Sequence, residues 1–201
     1  MKKILVWDWP VRIGHWLMAG GFAVAWLTAE SETFRLVHVV SGAVVLAIAA
    51  FRLVWGVWGS RHARFTNFVH GPKVVGSYVT SLLKRQPEHH TGHNPAGGWA
   101  ILLLLTLGLL SGISGWAAYN ELGGDWLKDF HEGLASSMLA VVVVHLIGVI
   151  SGSWMHRENL VRAMLTGIKQ GNANEAIRST RPFAAMVLLV WVALAGWILA
   201  S

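Results

Sequence analysis

The sequence predicts an all-α integral membrane protein with five transmembrane helices and a cytoplasmic N-terminus, folded as one membrane domain over residues 1–201. Three observations carry this expectation. Of the 201 residues, 54% are hydrophobic and 13% charged, and the mean hydropathy of +0.51 is too high for an ordinary water-soluble domain. Five segments are long and apolar enough to cross a bilayer, at about residues 13–29, 36–58, 96–119, 133–154 and 182–200. All of the sixteen Lys and Arg residues except Arg35 and Lys128 lie in the N-terminal arm, in the loops at about 60–95 and 156–181, or on adjoining helix ends. Positive charge concentrates on the cytoplasmic side of membrane proteins, which sets the orientation.

The N-terminal "MKKILVWDWPVRIGHW" is expected to be retained, because Asp8, Pro10 and Arg12 interrupt the apolar run that a cleavable signal needs. The first span then has His15 as its single ionisable side chain. The second contains His38 and Arg52, and the third carries no charge. The fourth opens with "HEGLASSMLAVVVVH", bounded by His131 and His145. The fifth, "PFAAMVLLVWVALAGWILA", starts on Pro182, whose missing N–H costs nothing in a first helical turn.

The loop at about 60–95 interleaves basic, aromatic and aliphatic residues in "RHARFTNFVHGPKVVGSYVTSLLKR", the pattern of an amphipathic helix lying along the inner headgroups. Its continuation "EHHTGH" sets His89, His90 and His93 close together. A metal site there would need a further ligand, and an exposed polar turn is the commoner role for such a run. The outer loops are acidic, with Glu30, Glu32, Glu121, Asp125, Asp129 and Glu132. They offer a docking face for a basic partner, although solvation is the commoner reason for such loops.

Several function classes are excluded or disfavoured. The net charge of +6 and pI near 10.2 do not indicate nucleic acid, since the basic residues follow the membrane topology and no reading module is recognisable. The absence of cysteine removes disulfides, thiolate-held iron–sulfur clusters and covalent c-type haem. The twelve tryptophans fit interfacial anchoring and also packing against a flat cofactor.

The intramembrane histidines form a pattern. Fourteen residues separate His131 from His145, which puts them on one helical face about 40° apart and about 21 Å apart along the axis. They cannot share one metal ion. With the predicted topology, His38 matches His131 in depth at the outer side, and His15 matches His145 at the inner side. Polar glue between helices explains any one of these residues but not four matched in depth. Zinc needs three or four converging ligands, whereas each level offers two. Two axial imidazoles on opposite faces of a macrocycle need one histidine from each of two helices, so a bis-histidine haem b is expected at each level.

Arg52, fourteen residues after His38, lies at the inner level where it can meet haem propionates; Arg35, one turn before His38, has the matching outer position. Either arginine can also serve as a snorkelling helix-end cation. Gly42, Gly112 and Gly115 would let a ring approach the backbone, or equally let helices pack closely. A proton or ion transporter using intramembrane histidines is the rival outside redox chemistry.

These residues resemble the bacterial cytochrome b561 and nickel–iron hydrogenase b-type cytochrome family, and more distantly the membrane gamma subunit of formate dehydrogenases. The likeness rests on the histidine of "WDWPVRIGHW", that of "RLVHVVSG", and the pair in the fourth span. The segments "RFTNFVHGPKVVGSYV", "GHNPAGGWAILLLL" and "HRENLVRAMLTGIKQG" extend it over nearly the whole chain. It implies a di-haem cytochrome of the bacterial inner membrane that transfers electrons between the quinone pool and a redox partner. Partners in the family include c-type cytochromes, hydrogenases and dehydrogenases; one branch oxidises superoxide to reduce quinone. The family pairs the histidines as His15 with His145 and His38 with His131. By analogy with the formate dehydrogenase subunit, a quinone is expected at the inner level near His156 and Arg157.

Overall fold

A computed structural model describes residues 2–84, 86 and 88–200 as a helical bundle with a small two-stranded sheet at one end. The long helices are α1 (Trp9–Thr28), α2 (Arg35–Trp58), α4 (Pro95–Tyr119), α5 (Trp126–Met155) and α7 (Pro182–Ala200). Two shorter ones, α3 (Pro72–Leu83) and α6 (Leu160–Thr166), lie in the basic connections. Among the described residues, the segments Glu32–Trp58, Pro95–Tyr119 and Trp126–Met155 are long and apolar enough to cross a membrane. The helices starting at α1 and α5 run beyond the apolar spans expected from hydropathy. Asp8 caps α1 by accepting from the Val11 N–H at 2.9 Å, with Pro10 in the first turn. The extra turns of α5 carry Lys128, Asp129, His131 and Glu132 among apolar residues and extend the helix back to Trp126.

Helix α2 is the centre of the bundle and packs against α1, α4 and α7, while α5 packs on α4. The middle is closed by Val45, Leu107 and Met138, with Met18, Phe22, Leu104, Leu134 and Val141 around them, so residues of α1, α2, α4 and α5 meet in one apolar layer. Helix α7 packs against α2 and α1. Its Leu188 and Val192 pack with Ala47 and Ile48, and the Trp191 indole donates to the Ala47 carbonyl at 2.8 Å.

The strands β1 (Lys2–Leu5) and β2 (Ile168–Gly171) pair antiparallel, with Lys2 opposite Gly171 and Leu5 opposite Ile168. Neither segment shows the hydropathy of a strand; the pairing follows from tertiary placement. Gly167 ends α6 in the left-handed region at φ 81°, and its carbonyl accepts from the Val6 and Trp7 N–H groups at 2.8 and 3.1 Å. A Cβ at this position would lie 2.7 Å from the Trp7 carbonyl, so both the turn and the close approach require glycine. This sheet ties the N-terminal arm to the 156–181 connection. We call this the basic end of the bundle, and the opposite end, with Glu30, Glu32, Glu121 and Asp125, the acidic end.

Candidate functional site

Two histidine pairs face one another across the bundle, one on each side of the apolar middle layer. At the basic end the His15 ring of α1 and the His145 ring of α5 have centroids 6.5 Å apart, with planes inclined at 54°. At the acidic end the His38 ring of α2 and the His131 ring of α5 are 6.1 Å apart and nearly perpendicular, at 85°. Met138 and Val141 of α5 lie between the two levels, on the stretch that separates His131 from His145. Fourteen helical residues span about 21 Å, so the pairs are separate centres.

The acidic-end pair is oriented by the backbone. His38 Nδ1–H donates to the Ala25 carbonyl at 2.8 Å, and His131 Nδ1–H donates to the Ser111 carbonyl at 2.9 Å. In this tautomer each Nε2 keeps its lone pair for a ligand. The His131 ring lies against Gly115, where a Cβ would come within 2.8 Å of Cε1. Gly115 therefore seats the imidazole itself. Gly112 is a packing glycine, since a Cβ there would meet Leu46 at 2.7 Å. Gly42 borders open space, as does Gly20 on α1. Arg35 is exposed, 3.9 Å from Glu32, with its guanidinium 5.4 Å from the Tyr119 ring centre.

The basic-end pair is held differently. His15 Nδ1 is buried without a hydrogen-bond partner among the described residues, and the ring meets Trp16 edge-on at 5.0 Å. The Arg52 guanidinium lies over the Phe65 and Phe68 rings at 5.4 and 5.8 Å, and its Nη1 is also buried without a partner. A Cβ on Gly56 would overlap the Phe65 ring, so this glycine admits the aromatic side chain that covers Arg52. One turn from Arg52, the Trp55 indole donates to the buried Asp8 carboxylate at 3.0 Å. These supports, Phe65, Phe68, Gly56 and the Asp8–Trp55 bond, escape a reading of sequence alone. Their only local signal is the aromatic pair in "RFTNF".

The "EHHTGH" run does not converge on one point. His93 lies between Trp7 and Phe68, at ring distances of 4.5 and 4.9 Å. His90 packs edge-on to Tyr78 at 5.4 Å, and His89 faces His156 at 6.2 Å. No group of three potential metal ligands occurs among the described residues. His156 is the C-terminal cap of α5, and Arg157 follows it with φ 50°.

Two imidazoles at these separations can ligate a single ion between them, and the chain repeats the arrangement at two depths. The family profile described as prokaryotic cytochrome b561 matches residues 6–167, which include all four histidines and exclude α7. A probable Ni/Fe-hydrogenase B-type cytochrome subunit of Rhizobium leguminosarum bv. viciae is 27% identical over 213 residues, covering 83% of this chain and 88% of that protein. Proteins of the same description are 25% identical in Rhodobacter capsulatus, over 82% of this chain and 80% of theirs, and 25% in Azotobacter vinelandii, over 82% and 87%. No solved structure gives a significant match. With a profile spanning both histidine levels and four of the five long helices, the chain belongs to the prokaryotic cytochrome b561 family, membrane b-type cytochromes of electron transport.

Proposed function

We propose that this chain is a five-span, di-haem cytochrome b of the bacterial inner membrane, with its basic end and N-terminus in the cytoplasm. It carries electrons between the quinone pool and a redox partner at the acidic outer end. The observation that carries this reading is the repeated histidine geometry, with ring centroids 6.5 and 6.1 Å apart at two levels of one bundle. A metal–imidazole bond is about 2 Å long. Two such bonds in line, each with the ring nitrogen offset from its ring centre, put the centroids about 6 Å apart. His15 with His145, and His38 with His131, therefore suit one iron each as axial ligands.

The donor chemistry supports the same fit. His38 and His131 present unprotonated Nε2 atoms, because their Nδ1–H groups are used by carbonyls. The buried, unpartnered Arg52 Nη1 matches a carboxylate such as a haem propionate, and Arg35 supplies a cation at the other level. Haem b at each level would supply a one-electron centre. The residues of the chain hold it, set ligand orientation and, through the Val45–Leu107–Met138 layer, keep water out of the space between the levels. The relatives' description as hydrogenase cytochrome subunits supports a hydrogenase as the class of partner, with a dehydrogenase or c-type cytochrome as the related choices. A quinone pocket near His156 and Arg157 completes the scheme.

A reduced-minus-oxidised optical spectrum with haem stoichiometry tests this directly. We expect b-type bands and two haems per chain; a colourless protein would favour ion transport, and one haem per chain would remove the two-level assignment. In proteoliposomes, quinol should reduce the haems. If quinol analogues fail and superoxide succeeds, superoxide oxidation coupled to quinone reduction replaces this direction of flow.

A further inference from the structure

Helices α1 and α5 rest on different neighbours, α1 on α2 and α7, and α5 on α4 and α6. The His15 and His145 rings that they carry nevertheless stand 6.5 Å apart. At this end a hydrogen-bonded route from one helix to the other runs through α6. Arg12, one turn before His15, donates from Nη2 to the Leu165 carbonyl of α6. At the start of α6, the Leu160 N–H donates to Ser153 Oγ of α5 at 3.2 Å, and the Leu160 side chain lies so near Gly152 that a Cβ there would meet it at 3.3 Å. Gly152 follows His145 by about two helical turns. Resting on the haem assignment above, we propose that α6 is a strut that sets the separation and orientation of the two basic-end imidazoles, with Arg12, Gly167 and Ser153 as its positioning residues.

A helix of seven residues is marginal by itself, and α6 is held at both ends. Asn159 caps its start by accepting from the Arg162 N–H at 2.7 Å. At its finish the Gly167 N–H donates to the Ala163 carbonyl at 2.8 Å, while the Gly167 carbonyl takes the Val6 and Trp7 N–H groups. Between the caps, Ala163 is buried, and Met164 packs against the cluster of Ile4, Val6, Trp7 and Val11, the last of these in the first turn of α1. A Cβ on Gly167 would also lie 3.4 Å from Arg12 Cδ, so this glycine leaves room for the arginine stem as well as for the Trp7 carbonyl. Backbone, side chain and packing thus fix α6 to α1, and Leu160 with Ser153 fixes it to α5. The basic-end pair depends on such support. His38 and His131 are aimed by carbonyls, but His15 Nδ1 has no hydrogen-bond partner among the described residues, so the direction of its ring follows from where α1 is held.

The ferric low-spin electron paramagnetic resonance signals of the haem-loaded protein test the strut, because they respond to the mutual orientation of the axial rings. Histidine-ligand variants assign the two components. Arg12→Met keeps the apolar stem and removes the donor to Leu165. It should shift and broaden the basic-end signal and weaken haem retention at that level by roughly 10–100-fold, as changes to ligand-orienting groups typically do, with the acidic-end component unchanged. Arg12→Lys returns a donor towards the same carbonyl and should recover the wild-type signal. Ser153→Ala removes the acceptor at the α5 end, should produce a smaller shift of the same component, and serves if Arg12→Met folds poorly. Wild-type basic-end signals in both Arg12→Met and Ser153→Ala, haem loss shared equally by the two levels, or an Arg12→Lys protein as altered as Arg12→Met would overturn the strut while leaving the haem assignment standing. A wild-type protein without b-type bands would overturn both.

Discussion

The two histidine levels are alike in ring separation but differ in what holds the rings. At the acidic end, two backbone carbonyls fix the tautomers of His38 and His131, and Gly115 gives the His131 ring its seat. At the basic end, His15 Nδ1 and Arg52 Nη1 are buried without hydrogen-bond partners among the described residues. Buried polar groups are normally satisfied, and each exception needs an explanation. Two backbone carbonyls orient the acidic-end rings, whereas at the basic end a ring nitrogen and a guanidinium nitrogen are buried without a hydrogen-bond partner among the described residues.

The largest expected effect separates the levels outright. His38→Ala or His131→Ala should reduce haem content from two per chain to one by emptying the acidic-end level, and His15→Ala or His145→Ala should empty the basic-end level. Spectral deconvolution and haem quantification check this; His145→Ala protein with two haems and unchanged bands would break the pairing. Next, Gly115→Val should push the His131 ring from its seat and weaken haem retention at the acidic end by roughly 10–100-fold, as changes to ligand-orienting groups typically do. Competition with a haem-binding apoprotein measures it. An equal loss at both levels would show that the substitution disturbs the bundle rather than the ring.

Asp8→Ala tests the scaffold of the basic end. It removes the cap of α1 and leaves the Trp55 indole without its acceptor, a cost of roughly 2 kcal/mol. We expect a lower thermal midpoint, with the basic-end haem lost before the acidic-end one. Arg52→Gln should lower the basic-end potential by an amount on the order of 1 kcal/mol, or about 40 mV for one electron, because removing a cation favours the more positive oxidised iron. Spectroelectrochemistry reads both components at once. The smallest effect is expected for Arg35→Gln. Its guanidinium is solvated and paired with an exposed Glu32, and an ion pair of this kind contributes little in water. An Arg35 effect equal to that of Arg52 would mean that a bound propionate draws Arg35 out of solvent.

Much of this architecture is legible along the chain. Hydropathy marks the long helices, the 3.6-residue period places His131 and His145 on one face of α5, and the Lys and Arg distribution separates the two ends. Depth matching names the same two pairs that the structure brings within 6.5 Å. These features are local or nearly so: each depends on residue spacing within one helix and on apolar length, which the sequence states without reference to its neighbours.

Other features were decided in three dimensions. The carbonyls that orient His38 and His131 belong to Ala25 and Ser111, and backbone acceptors carry no residue signature. The pairing of β1 with β2 joins segments more than 160 residues apart with no strand-like pattern in either. Gly112 and Gly115 look interchangeable in the sequence, yet one meets Leu46 and the other seats an imidazole. The histidines of "EHHTGH" are neighbours in the chain but point into three different surroundings. The sequence by itself determined the long helices and the levels of their polar groups, because burial and helical period act residue by residue. Only the tertiary structure decided which ring nitrogen is free and which guanidinium nitrogen is buried without a hydrogen-bond partner among the described residues, because each depends on contacts between helices whose approach no local pattern encodes.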